Sequence, residues 1–155
     1  MDPIVVGLIS DTHGLLREEV FGALAGVSTI LHAGDVGGDA VLDRLGSIAP
    51  VHAVSGNVDA PGPRLRPRVR LGLGGMSVHV SHGHELGSPT PDTLLQRYDA
   101  DVIVYGHTHV ALVQRAGGRL VINPGAAGPR RFRLEPSVGR LTITDGRAEV
   151  EIVRL

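Results

Sequence analysis

Five short apolar runs stop at a polar residue able to bind metal, each beside glycine, and this pattern constrains the 155-residue chain most. Ile4–Ile9 is apolar and β-branched and ends in Ser10-Asp11-Thr12-His13-Gly14. Thr29–His32 leads to Gly34-Asp35, and Val51–Val54 to Gly56-Asn57. Residues 76–80 lead to Ser81-His82-Gly83-His84, and residues 101–105 to Gly106-His107-Thr108-His109. Runs of this length, bounded by turn residues, read as buried strands. In an α/β sheet, ligands bind in the crevice beyond the carboxyl ends of the strands. The chain therefore delivers an acid, an amide or an imidazole to one crevice from every such end.

Between the first strands lie helical patterns at 15–24, with early acids Glu18 and Glu19, and at 39–45, with Val41, Leu42 and Leu45 on one face. A β-α-β-α-β opening implies parallel strands joined by right-handed crossovers. The second half is richer in hairpins. Segments 69–73 and 76–80 flank Gly74-Gly75; 111–115 and 119–122 flank Gly117-Gly118; 141–144 and 148–153 flank Asp145-Gly146. One further helix starts at Thr90-Pro91-Asp92, where Thr caps, Pro fits the first turn and Asp faces the dipole, and runs to about Tyr98. Mixed sheets with helices on their outer faces fit this order. Residues 1–155 read as one domain, because the length suits a single core.

Composition removes several chemistries. With no cysteine, disulfides, thiolate nucleophiles and Cys-type zinc sites are excluded. Every basic residue is Arg, so a lysine Schiff base and a P-loop lysine are excluded too. A net charge of -1 gives no bulk attraction to nucleic acid or to an anionic membrane. Aromatics at 3% are too sparse for a single-strand stacking platform. No basic leader precedes the first strand and no apolar run reaches a spanning length, which places the chain in the cytoplasm.

Asp11, His13, Asp35, Asn57, His82, His107 and His109 are the candidate ligands. One zinc takes about four ligands. Seven oxygen and nitrogen donors suit two ions sharing a carboxylate, the arrangement in which ions about 3.5–4 Å apart clamp a phosphoryl group. Residues i and i+2 of an extended chain point the same way. That spacing relates Asp11 to His13 and His107 to His109. Each dipeptide alone reads as a turn; the ordered set does not.

The motifs SDTHG (10–14), HAGDV (32–36), SGNVD (55–59), SHGH (81–84), GHTH (106–109) and NPG (123–125) resemble the calcineurin-like metallophosphoesterases. More narrowly, the chain is similar to their small bacterial and archaeal phosphodiesterases, a group that also includes the retromer subunit Vps29. The resemblance runs from about residue 4 to residue 129. It implies a four-layer α/β/β/α sandwich of two mixed sheets and a dinuclear centre. One ion is then held by Asp11, His13, Asp35 and His109, the other by Asp35, Asn57, His82 and His107, with Asp35 bridging. The implied reaction is in-line attack on phosphorus by a hydroxide held between the ions, without a phospho-enzyme. Manganese is the first candidate, with iron, zinc, nickel or cobalt as alternatives, since His, Asp and Asn accept them all. Alternative readings are a Vps29-like interaction scaffold that keeps its metal site, and a phosphomonoesterase.

Two positions depart from the pattern. Val58 stands where many relatives have His and the small-diesterase branch often has Cys, so the general acid is unassigned. His84, two residues past His82, is the candidate for it. Ala126 stands where relatives often carry Ser. His32 reads as packed or as a partner of a ligand, and His52 and His79 as surface or satisfied core residues. Asn123 is expected to orient a ligand loop. The arginine-rich segments 64–70 and 128–133 read as solvated edges or as steering for an anionic substrate. Arg130 and Arg131 are the pair nearest the NPG motif. The expected partner is a small phosphoester rather than a specific nucleic acid or a membrane, and the glycine-rich hairpin at 71–76 offers an edge for a homodimer.

Overall fold

The computed structural model describes residues 2–155. Two mixed β-sheets face one another. The first runs β11-β10-β1-β2-β3-β4 and the second β5-β6-β7-β9-β8. In chain order the strands are β1 (Ile4–Ile9), β2 (Thr29–His32), β3 (Val51–Val54), β4 (Leu65–Arg66), β5 (Arg68–Leu73) and β6 (Met76–Ser81). They continue with β7 (Val102–Val104), β8 (Leu112–Ala116), β9 (Arg119–Asn123), β10 (Ser137–Thr144) and β11 (Arg147–Arg154). The helices are α1 (Glu19–Ala23), α2 (Asp39–Leu45) and α3 (Pro91–Arg97).

Three apolar clusters define the four layers. Val6, Leu8, Leu31, Val80, Val104 and Leu141 belong to the cluster between the sheets. Val20, Leu24, Val41, Leu42 and Leu45 bury α1 and α2 on the first sheet. Leu94 of α3 joins Ile103, Tyr105 and Val121 on the outer face of the second. The inner strands β1 and β7 carry no polar side chain because both their faces are covered. The parallel pairs β1–β2–β3 and β6–β7–β9 align their carboxyl ends, and this brings the polar turns together.

The hairpins fall where Gly-Gly and Asp-Gly placed them. At the last one Asp145 and Gly146 both have positive φ, 49° and 75°, the pair a tight hairpin turn demands. Thr90 caps α3 through a capping box with Thr93, and Pro91 takes the first turn.

Two readings need correction. The helix expected over 15–24 is only Glu19–Ala23. Residues 15–17 are drawn to the neighbouring loops instead: Leu15 N–H donates to Thr12 O at 2.9 Å and Arg17 Nε to Gly128 O at 3.0 Å. β4 was not anticipated; two residues following a proline- and glycine-rich stretch carry no periodicity.

Candidate metal centre

The residues at the strand ends do converge, but not along extended backbone. Asp11, His13, Asp35, His107 and His109 have φ values of 53°, 48°, 52°, 70° and 64°. They are five of the seven non-glycine residues with positive φ among the described residues. Left-handed conformations are uncommon outside glycine, and Asp and His are among the residues that tolerate them. Sharp turns rather than strand alternation therefore aim these side chains inward.

Asp11 is fully buried and central. Its Oδ1 lies 3.2 Å from His109 Nε2, 3.7 Å from His13 Nε2 and 3.8 Å from His82 Nε2. Asp35 Oδ2 lies 3.2 Å from His82 Nε2 and 3.7 Å from His13 Nε2. Two metal-competent triads result, Asp11-His13-His109 and Asp11-Asp35-His82. The His107 ring stands 5.2 Å from the His82 ring, centroid to centroid. Asn57 is exposed on the loop after β3. Its neighbour Val58 donates its N–H to Asp35 Oδ1 at 3.0 Å. The His84 ring is 5.3 Å from that of His82 and 6.3 Å from that of His107.

The outer oxygens and nitrogens of this set are occupied, which turns the inner ones to the centre. Asp11 Oδ2 accepts from Ser10 Oγ at 2.6 Å and from His107 N–H at 3.2 Å, leaving Oδ1. His82 Nδ1 faces the carbonyl of Ala33 at 2.8 Å. A carbonyl only accepts, so Nδ1 carries the proton and Nε2 presents a lone pair. Asn123 donates to Gly106 O and to Thr108 Oγ1, both at 3.0 Å, and holds the His107–His109 turn as anticipated. Close approach also requires glycine: a Cβ on Gly106 would lie 2.6 Å from Asp11 Oδ2.

Burial raises the pKa of Asp11, but His109, His13, His82 and Ser10 outweigh it and hold the carboxyl well below the usual range. Asp35 is lowered in the same way: His82 and the Val58 N–H outweigh its burial. His13 is raised, first by Asp11. His82 is raised although burial opposes it, because Asp35 and Asp11 attract its proton. His107 is lowered by burial and then by His82. Asp11 and Asp35 thus stay ionised and draw positive charge to the centre.

Among the described residues, four buried side-chain polar atoms have no hydrogen-bond partner: Asp11 Oδ1, His13 Nε2, His82 Nε2 and His84 Nδ1. A buried unsatisfied group costs about 1–3 kcal/mol. Three of these atoms point into one space together with Asp35 Oδ2 and His109 Nε2. That donor set, carboxylate oxygens and imidazole nitrogens, fits divalent metal ions.

Other residues resolve as follows. His32 is buried; its Nδ1 accepts from Gly34 N–H at 3.1 Å and its Nε2 meets Thr12 Oγ1 at 3.0 Å, so it ties two ligand loops together. His79 is buried and stacked on Tyr98 at 3.8 Å, while His52 is exposed. Asp59 was overlooked. Its carboxylate accepts from Val36, Gly37 and Gly56 N–H at 2.9–3.1 Å and pins the Asp35 loop to the Asn57 loop. The only signal was its place in SGNVD. Arg64, Arg66, Arg68 and Arg70 line a cavity of about 490 Å³ at the edge where β4 passes into β5. Arg131 lines a small recess with His109.

Fold and donor set together are those of a metallophosphoesterase-type domain. The chain belongs to the calcineurin-like phosphoesterase superfamily, whose domain profile matches residues 4–146. It is 35% identical over 162 residues to a probable metallophosphoesterase of Methanothermobacter thermautotrophicus, covering 97% of this chain and 92% of the relative. It is 34% identical over 152 residues to the probable metallophosphoesterase YsnB of Bacillus subtilis, covering 92% and 86%. Among solved structures, a single-residue variant of Vps29 from Entamoeba histolytica superposes with a TM-score of 0.80 at 26% identity, over 98% of this chain and 99% of that one.

Proposed function

We propose that the chain is a phosphodiesterase working with two divalent ions, manganese first among them. The observation that carries this reading is the convergence of buried carboxylate and imidazole atoms without protein partners. In it, Asp11, His13, Asp35 and His109 hold one ion, and Asp35, Asn57, His82 and His107 hold the other, with Asp35 between them. When bound, two such ions neutralise phosphate oxygens and make hydroxide available near neutral pH.

The chain's own contribution is positioning. Asp11 and Asp35 are fixed by second hydrogen bonds, so their inner oxygens do not have to reorganise as charge develops. In this reading His84 gives a proton to the departing oxygen, supported by its ring lying 5.3 Å from that of His82 and by an Nδ1 without a hydrogen-bond partner. Val58 offers a backbone N–H and no side-chain acid, consistent with that assignment. The likeness to Vps29 favours a second reading, a protein-docking surface built on a retained metal site.

Hydrolysis of bis-p-nitrophenyl phosphate tests the choice, using chelator-stripped protein reloaded with Mn²⁺ beside Asp35→Asn and His107→Ala. Metal-dependent activity that disappears in both variants is the expected result. A folded protein inactive with every divalent ion overturns the enzyme reading in favour of docking.

A further inference from the structure

The large apolar side chains left exposed are not scattered. Among the described residues they are Leu15, Val58, Val110, Val113 and Phe132. Leu15 follows His13-Gly14, Val58 follows Asn57 and Val110 follows His109, so three sit in the turns that carry the candidate ligands. Val110 and Val113 also line an open cleft of about 530 Å³ that His109 lines too. Leu134 and Ile152 supply more of its apolar wall, the Arg154–Glu135 ion pair at 3.3 Å closes another side, and Arg133 stands in it with no ion-pair partner among the described residues. Phe132, next to Arg133, is 95% exposed and has a φ of 53°. A bulky side chain in that conformation is an outlier, and nothing in the chain covers the ring.

The base of this loop is fastened to the metal centre. Ala127 N–H donates to Ser10 O at 2.9 Å and Gly128 N–H to Asp11 O at 3.3 Å. The loop therefore leaves the centre from a fixed base, and its Arg133 shares the lining of the cleft with His109. The volume lies within the range of small-molecule sites. An open cleft with one apolar wall suits a short, flat group better than a long alkyl chain. A guanidinium such as that of Arg133 stacks on aromatic faces.

We propose that this cleft seats an aromatic ester arm of nucleobase size, which makes the substrate a small nucleotide-type phosphodiester. The inference rests on the phosphodiesterase reading for the phosphate itself, while the arm's seat rests on the cleft.

The test compares two esters with the same leaving group on the Mn²⁺-loaded protein: thymidine 5′-(p-nitrophenyl phosphate) and methyl p-nitrophenyl phosphate. Wild type is expected to favour the nucleoside ester about tenfold in kcat/KM, the size of one base-stacking contact. That ratio should fall towards one in Arg133→Ala, which removes the guanidinium from the lining, and in Val113→Glu, which puts charge on the wall. A ratio near one in wild type, or an undiminished ratio in both variants, overturns the proposal. If neither ester is cleaved, the phosphodiesterase reading fails, and binding decides the cleft. Calorimetry with thymidine 5′-monophosphate and methyl phosphate then supports it if the nucleotide binds about tenfold tighter and loses that advantage in the variants. Equal binding overturns it.

Discussion

His84 separates chemistry from binding at the level of one side chain. Its Nδ1 is buried without a partner, and Glu85 Oε1, at 3.9 Å, is too far for a hydrogen bond. A donor to the leaving oxygen matters only when that oxygen is a poor leaving group. His84→Ala is therefore expected to reduce kcat for an alkyl diester by about 10²-fold or more, the usual scale of general acid catalysis. Cleavage of bis-p-nitrophenyl phosphate should change little; an equal loss on both substrates would give His84 a binding role instead. The ligands themselves make a second prediction. Asp11 and Asp35 raise the proton affinity of His13 and His82 in the metal-free site. Metal must displace those protons. Mn²⁺ uptake should thus release protons, visible as buffer-dependent heats in calorimetry, and weaken as pH falls below neutrality. Buffer-independent heats would contradict this.

At the level of elements, the site is a set of turns held in register by groups that are not ligands. Asp59 is the clearest, since one carboxylate takes three backbone N–H groups from the loops after β2 and β3. Asp59→Ala leaves those donors unpaired, at about 1–3 kcal/mol for each one kept from water. The loop that carries Asn57 should loosen with it. We expect a lower melting temperature together with weaker metal binding, and a variant that melts lower yet binds Mn²⁺ as wild type does would show the loops to be independent. Such bracing was hard to read in the sequence, because a hydrogen bond across 23 residues leaves no periodic trace. Strands β1, β2 and β3 and helix α2 were legible, since apolar runs and a one-faced helix are local patterns. The candidate ligands were legible as strand ends. Their route inward was not: i, i+2 spacing suggested an extended chain, whereas left-handed turns deliver Asp11, His13, His107 and His109. Helix α1 came out short because Leu15 N–H donates back to the carbonyl of Thr12 and Arg17 Nε to that of Gly128, which only the folded sheet brings near Arg17.

For the whole molecule, two buried histidines that are not candidate ligands contribute to stability in mild acid. His32 lies inside the ligand loops and His79 under α3, and burial lowers each to about 4. The unfolded chain binds their protons near the ordinary value of 6.5. Between those values the unfolded state holds more protons than the folded one, so stability rises with pH and is lost as pH falls from about 6.5 to about 4. The raised groups act elsewhere. His13 and His82 stabilise the metal-free fold fully below 6.5, and that contribution fades only as pH rises through their folded values. Asp11 and Asp35 are lowered from ordinary carboxylate values, so their contribution is lost at more acid pH than this window. At 1.36 kcal/mol per unit, each buried histidine accounts for at most about 3 kcal/mol across the window. Urea unfolding of metal-free protein at pH 7, 6, 5 and 4 should therefore show a steep loss of stability. His79→Gln should flatten it by up to half, because a neutral amide keeps polar contacts but does not titrate. A profile equally steep in that variant would place the acid sensitivity in His32 and the ligand loops alone, and a flat wild-type profile would mean that neither ring is held neutral by the fold.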